Sequence, residues 1–209
     1  LMVAKWALFT TGVINTPYKN GGSVYISSAS KTVIEDSIFE KNEVNSIPTR
    51  AGGAIFGWDK VDLTIKRSTF RGNKAGNGGA IFMAKHDDTG FPSPCNMHVE
   101  DSLFESNSAV GNHKYYGEDS TGGGAVGSRH HCQQNYVNTV IKNNYCEGTG
   151  GGLYSTHWVE ITMKNTVVEG NTAGKQGGGL SLNKRSQLIM EDSIIQNNTA
   201  GTKAVEGTT

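Results

Sequence analysis

The segment from residue 52 to residue 82 contains two short motifs that alternate. It begins with Gly52-Gly53-Ala54-Ile55-Phe56, continues to Phe70-Arg71-Gly72-Asn73, and returns to Gly78-Gly79-Ala80-Ile81-Phe82. A glycine pair leading into a short apolar stretch therefore occurs on either side of a Phe-x-x-Asn motif. Such self-similarity is the sequence signature of a repeat architecture.

The Phe-x-x-Asn motif recurs along the chain in six copies, some with substitutions. Its anchor position is occupied by Phe39, Phe70, Phe104, Cys146, Val168 and Ile195. The position three residues later is occupied by Asn42, Asn73, Asn107, Thr149, Asn171 and Asn198. Glycine pairs precede the anchors at residues 21–22, 52–53, 78–79, 123–124, 151–152 and 178–179. The shortest anchor spacing, from Cys146 to Val168, is 22 residues, and it approximates the minimal unit.

This unit is too short for a helical-hairpin repeat, which needs about 33 residues or more. Leu63 and Ile65 alternate with Thr64, and a period of two is typical of β-strands. Short strands joined by tight corners would form one coil per repeat, and stacked coils would pair in parallel, about 4.8 Å apart. The sequence therefore predicts an all-β fold, a right-handed parallel β-helix (solenoid) of about six to seven coils.

The predicted organisation is a single β-helix domain over residues 1–209. It has a degenerate first coil at 1–20, repeats at 21–200 and a tail at 201–209. We expect a fragment of a longer chain, because the first residues lack the layout of a signal peptide. No apolar run approaches the roughly 18 residues that span a bilayer, so no membrane span is predicted in this fragment.

Stacking gives each position of the repeat a physical role. The apolar anchors are predicted to form one inward column, and the asparagines a hydrogen-bonded ladder at a corner. Glu35, Lys66 and Glu100 occupy one position of successive repeats and alternate in sign. Neighbouring coils would then bring opposite charges together, which is mildly favourable.

Composition narrows the classes of partner. The 209 residues include 28 glycines and only 4 prolines, and the formal net charge is zero. A balanced charge argues against nucleic acid, which favours a basic surface. No cofactor motif is complete, and no cofactor is predicted.

Two insertions, at 79–97 and 124–139, are predicted to leave the same corner of adjacent coils. They contain the candidate metal or acid–base residues His86, Asp87, Asp88, His130 and His131. Because no ligand-spacing motif is complete, the favoured interpretation is polar loop residues that face water.

Two further segments give weaker indications of a binding site or a modification site. The loop 113–119 combines aromatic and acidic residues that could hold a sugar ring, although such a segment is more often a plain loop. Asn197 begins the Asn-Asn-Thr glycosylation sequon, which matters only in a eukaryotic secretory setting.

The three cysteines are assigned different roles. Cys146, in the anchor position, is predicted to be a buried, unreactive thiol. Cys95 and Cys132 lie in the two insertions, and coil spacing matches the Cα separation that a disulfide needs. A Cys95–Cys132 bridge is favoured and implies an oxidising setting. The alternatives are a Cys132–Cys146 bridge and three free thiols.

The paired motifs resemble the repeats of chlamydial polymorphic outer membrane proteins. Gly-Gly-Ala-Ile occurs at 52–55 and 78–81, and Phe-x-x-Asn occurs at 39–42, 70–73 and 104–107. The resemblance implies a pectin-lyase-like β-helix that is displayed at a cell surface and used in adhesion.

The favoured function is a non-catalytic extracellular or cell-surface module for adhesion or structural display. Its expected partners are a host or cell-surface glycan or protein, or further copies of itself stacked end to end into a filament. The alternative is a polysaccharide lyase, hydrolase or epimerase, since those enzymes commonly use this fold. Such enzymes need paired carboxylates, or a calcium site with a basic residue, and no compact acid cluster appears outside Asp87-Asp88.

Overall fold

The chain is an all-β parallel solenoid, as the sequence predicts. The computed structural model describes residues 2–5, 8–9, 21–27, 30–44, 51–85, 94–111, 114–115, 118–119 and 121–201, with backbone alone at 2–5, 8–9, 114–115 and 118–119. These residues contain no helix.

The strands form four parallel sheets that run along the solenoid. Sheet I contains β3 (Val24–Ser27), β6 (Ile55–Trp58), β10 (Ile81–Ala84), β16 (Val126–Arg129), β20 (Leu153–Thr156) and β24 (Leu180–Asn183). Sheet II contains β1 (Met2–Lys5), β4 (Lys31–Glu35), β7 (Asp62–Lys66), β11 (Cys95–Glu100), β17 (Cys132–Val137), β21 (Glu160–Lys164) and β25 (Gln187–Glu191).

The other two sheets complete each turn. Sheet III contains β2 (Leu8–Phe9), β5 (Ile38–Glu40), β8 (Thr69–Arg71), β12 (Leu103–Glu105), β18 (Val140–Lys142), β22 (Val167–Glu169) and β26 (Ile194–Gln196). Sheet IV contains β9 (Lys74–Ala75), β13 (Ser108–Ala109), β19 (Tyr145–Cys146), β23 (Thr172–Ala173) and β27 (Thr199–Ala200). An antiparallel pair, β14 (Lys114–Tyr115) and β15 (Glu118–Asp119), lies apart from these sheets.

Five turns carry a strand in all four sheets, beginning at β6, β10, β16, β20 and β24. The turn formed by β3, β4 and β5 carries three named strands, and β1 and β2 supply two more. The predicted count of about six to seven coils is therefore slightly too high for complete turns.

The core consists of inward columns that continue from turn to turn. Phe39, Phe70 and Phe104 are register partners, and their rings stack with centroids 4.6 and 4.8 Å apart. All three side chains are fully buried. Like side chains therefore fill like positions, and offset aromatic stacking adds to burial of apolar surface.

In the turn that begins at β16, the predicted anchor residue is wrong by five positions. The register partner of Phe104 is Ile141, which in turn pairs with Val168 and then Ile195. Cys146 lies instead in sheet IV, in a column with Ala109 and Ala173.

The cause of this shift is a pair of polar residues in the core. Gln134 and Tyr136 occupy the inward positions of β17, where β21 has Ile161 and Met163. The Tyr136 hydroxyl donates to Gln134 Oε1 at 2.6 Å, so both groups gain a partner when buried. An alignment of the repeats by their apolar residues does not recognise these two positions as inward.

The asparagine ladder is continuous from Asn42 to Asn198. Each side-chain Nδ2 donates to the Oδ1 of the next turn, through Asn73, Asn107, Asn144 and Asn171, over 2.8–3.0 Å. The same Oδ1 atoms accept from the backbone N–H of the preceding ladder residue. Asn144, rather than the predicted Thr149, is the member in the β16 turn.

Glycines let the turns approach closely where sheet IV passes into sheet I. A Cβ at Gly79 would lie 2.1 Å from the carbonyl oxygen of Gly124 and 2.6 Å from the backbone N of Ser108. Both obstacles are backbone atoms of neighbouring turns, so they cannot move aside as a side chain would. The glycine pair is therefore required by the stacking distance.

Candidate functional site

The corner between sheets I and II presents two consecutive side chains on each turn. In three successive turns these pairs are His130–His131, His157–Trp158 and Lys184–Arg185, and all six residues have φ between 48° and 64°. The backbone N–H of His131 donates to the carbonyl of His157, and that of Trp158 to the carbonyl of Lys184. These bonds hold the corners in register, so their side chains form two rows along the solenoid.

The second row is a stack of planar groups. The rings of His131 and Trp158 lie 5.0 Å apart with an interplanar angle of 5°. The Arg185 guanidinium covers the Trp158 ring at 5.6 Å from its centroid, in a cation–π contact. Trp158 is nevertheless 38% exposed, because the stack leaves its edge toward solvent.

The first row carries the other two histidines. The rings of His130 and His157 lie 4.6 Å apart and are tilted by 37°. His157 Nδ1 lies 2.9 Å from the Thr156 hydroxyl, which orients the ring. The corner therefore holds three imidazoles, one indole and two permanent cations.

A groove of about 390 Å³ runs beside this corner onto the outer face of sheet II. Its floor includes Gln133, Glu160 and Gln187, which are register partners on successive strands. Gln187 Nε2 donates to Glu160 Oε2 at 2.5 Å, so the Glu160 carboxylate is hydrogen-bonded. The remaining lining residues are Pro94, His131, Trp158, Val159 and Arg185.

A second groove of about 290 Å³ adjoins the first and shares Gln133 and Glu160 with it. Its further polar lining residues are Asp62, Asn96, His98, Gln134, Asn135 and Thr162. Donors and acceptors of hydrogen bonds therefore recur along the outer face of sheet II.

The charged column at the far side of this face is internally paired. Lys66 Nζ lies 2.8 Å from Glu100 Oε2, and Lys164 Nζ lies 2.8 Å from Glu191 Oε1. The hydrogen bond with Lys66 lowers the pKa of Glu100 and raises the pKa of Lys66. Glu100 is therefore held as a carboxylate and is poorly suited to donate a proton.

The predicted metal or acid–base residues are only partly visible. His130 and His131 lie at the corner described above, whereas His86, Asp87 and Asp88 fall outside the described residues. Within the described part of the chain, no group of three His, Cys, Asp or Glu side chains could hold a metal ion.

The predicted insertion at 124–139 is wrong. Those residues form β16, the corner and β17, which is the ordinary course of a turn. The error follows from the shifted frame, because Cys146 as anchor leaves five residues too many. The neighbouring segment 86–93 lies outside the described residues.

Cys95 and Cys132 begin β11 and β17, so they are strand residues and not loop residues as predicted. They are register partners, buried and present as free thiols. A hydrogen bond between the two thiols lowers the pKa of Cys95 and raises the pKa of Cys132, and burial raises the latter further. Cys146 is also free, and burial raises its pKa to about 12.

Sequence reasoning missed Trp158, His157 and Arg185. The available signal is their position: Trp158 and Arg185 each stand two residues before a sheet II strand, and His131 stands one residue before β17. In the loop 113–119, the structure describes only the backbone of β14 and β15. Asn197 lies exposed at a corner with φ of 53°.

Comparison with known families identifies one repeat. Residues 67–84 match the model of the Chlamydia polymorphic membrane protein repeat. The matched segment contains β8, a ladder asparagine, β9, the glycine corner and β10. Comparisons with curated proteins and with solved structures gave no significant match. Within the described residues, no helix is long and apolar enough to cross a membrane.

Proposed function

We propose that this chain is a non-catalytic module of a surface or outer-membrane protein, and that it attaches the surface to a glycan or protein. The observation that carries the proposal is the match of residues 67–84 to a membrane-protein repeat. The asparagine ladder repeats the architecture of that segment from turn to turn. A rigid solenoid of this kind presents an extended, regular surface for binding.

The I–II corner and the adjoining grooves are the binding surface in this proposal. Trp158, His131 and Arg185 are held in place by stacking before any partner arrives. Such preorganisation reduces the entropy that binding would otherwise cost. Aromatic and arginine side chains also supply a large share of binding energy in known interfaces.

The outer face of sheet II gives little support to the enzyme alternative. Asp62 and Glu160 occupy the same column, but three strand spacings separate them, about 14 Å. Glycosidase carboxylates lie about 5 to 9.5 Å apart. Glu100, the other acid near this groove, is paired with Lys66.

Beads coated with the folded chain test the attachment function. They should adhere to some cell types of a broad panel, whereas beads coated with the heat-unfolded chain should not. Antibodies to the chain should also label intact source cells. Equal adhesion by folded and unfolded chain would contradict the proposal, as would turnover of uronate polymers by the purified chain.

A further inference from the structure

We propose that the I–II corner of the last three described turns, with the groove beside it, binds an acidic polysaccharide. Its carboxylate or sulfate groups contact Arg185 and His131, and its hydroxyls contact the amide side chains of sheet II. This inference rests on the attachment function and names the class of ligand for the same surface.

Arg185 provides the anion contact. Its side chain is exposed, and its guanidinium carbon lies 5.6 Å from the centroid of the Trp158 ring. No carboxylate pairs with this guanidinium among the residues that the structure describes. The N–H donors of an exposed guanidinium match the geometry of a carboxylate or sulfate bidentately.

The charge around the corner favours an anion. Its described turns contribute the cations Arg129, Lys184 and Arg185, besides three histidines. Against these cations, the described lining of the first groove contributes one carboxylate, that of Glu160. Surface charge of one sign raises the local concentration of an oppositely charged ligand, and the effect weakens with salt.

The floor of the groove favours a sugar chain over an acidic peptide. On four successive strands, one outward column contains Asn96, Gln133, Glu160 and Gln187. Amide side chains both donate and accept hydrogen bonds, as hydroxyl groups do. Neighbouring members of the column lie about 4.8 Å apart, so an extended polymer would meet an amide side chain on three of these four strands.

The binding test uses five purified probes and two variants. Four probes are an oligogalacturonate, its methyl ester, dextran sulfate and dextran, so each anion is compared with its neutral backbone. The fifth probe is polyglutamate, an acidic peptide. Arg185→Gln removes the proposed contact. Arg71→Gln is the matched control, since it removes an exposed arginine that pairs with Glu40 on sheet III, at 3.1 Å. Unfolding midpoints show that both variants are folded.

The proposal expects an acidic probe to bind at least about tenfold more tightly than its neutral partner. Arg185→Gln should lose about tenfold in affinity, while Arg71→Gln stays within about twofold. Preference for one acidic probe would show whether the anionic group that the corner binds is a carboxylate or a sulfate. Binding of the neutral probes with equal affinity, or equal effects of the two substitutions, would overturn the inference. Equally tight binding of polyglutamate would replace the sugar with an acidic peptide.

Bead adhesion separates this inference from the function on which it rests. If Arg185→Gln beads adhere as well as unmodified beads, the acidic-sugar inference fails and the attachment function stands. If unmodified beads adhere to no cell type, the attachment function itself fails.

Discussion

Cys95 and Cys132 stand opposite one another on adjacent parallel strands, both buried and both as free thiols. Adjacent strands lie about 4.8 Å apart, inside the Cα separation of about 4.4–6.8 Å that a disulfide tolerates. The hydrogen bond between the thiols lowers the pKa of Cys95, which increases the fraction of its sulfur present as the reactive thiolate.

Oxidation with diamide should therefore link Cys95 to Cys132. Peptide mapping without reductant should recover that linked peptide and an unmodified Cys146, because burial raises the pKa of Cys146. The bridge should stabilise the fold by about 4 kcal/mol through loop closure. Recovery of a Cys132–Cys146 link would contradict the structure, which places Cys132 in sheet II and Cys146 in sheet IV.

Phe70 lies between two other phenylalanine rings in the core. Replacing it with alanine should lower the free energy of unfolding by about 3 to 5 kcal/mol, since the fully buried ring would leave a cavity between neighbouring turns. Thr69→Ala, in the same strand but only half-buried, should change it by less than about 0.5 kcal/mol. Similar urea midpoints for both variants would argue against the stack.

Asn144 tests the corrected frame of the β16 turn. Asn144→Ala removes hydrogen bonds to both Asn107 and Asn171 and leaves buried polar atoms without partners. We expect a loss of roughly 2 to 3 kcal/mol in unfolding free energy. Asn135→Ala, on the exposed face of sheet II, is the control and should be nearly neutral. A neutral effect at Asn144 would mean that the ladder does not pass through this turn.

Most of the fold follows from sequence because stacking imposes one pattern on many turns. The phenylalanine anchors and the Asn42, Asn73 and Asn107 ladder identify themselves by repetition. The failure at Cys146 has a physical cause, since Gln134 and Tyr136 occupy core positions and share a hydrogen bond there without being apolar. A rule based on hydrophobicity cannot detect that compensation.

The candidate site is harder to predict because its residues differ from turn to turn. His131, Trp158 and Arg185 share a position but no residue type. They become a single surface only when the register places them in one row. The sequence singled out His131 as a loop residue, and the correct alignment of β17 with β21 was needed to connect it to Trp158.

Tryptophan fluorescence tests the proposed ligand surface most directly. The emission of Trp158 should change when the acidic oligosaccharide that binds more tightly is added, because the ligand would contact its exposed edge. The titration signal should disappear in Trp158→Phe, which keeps an aromatic ring in the stack. It should persist in Trp58→Phe, on sheet I beside Phe56. A signal that survives in Trp158→Phe and is lost in Trp58→Phe would contradict binding at the I–II corner and move the site to sheet I.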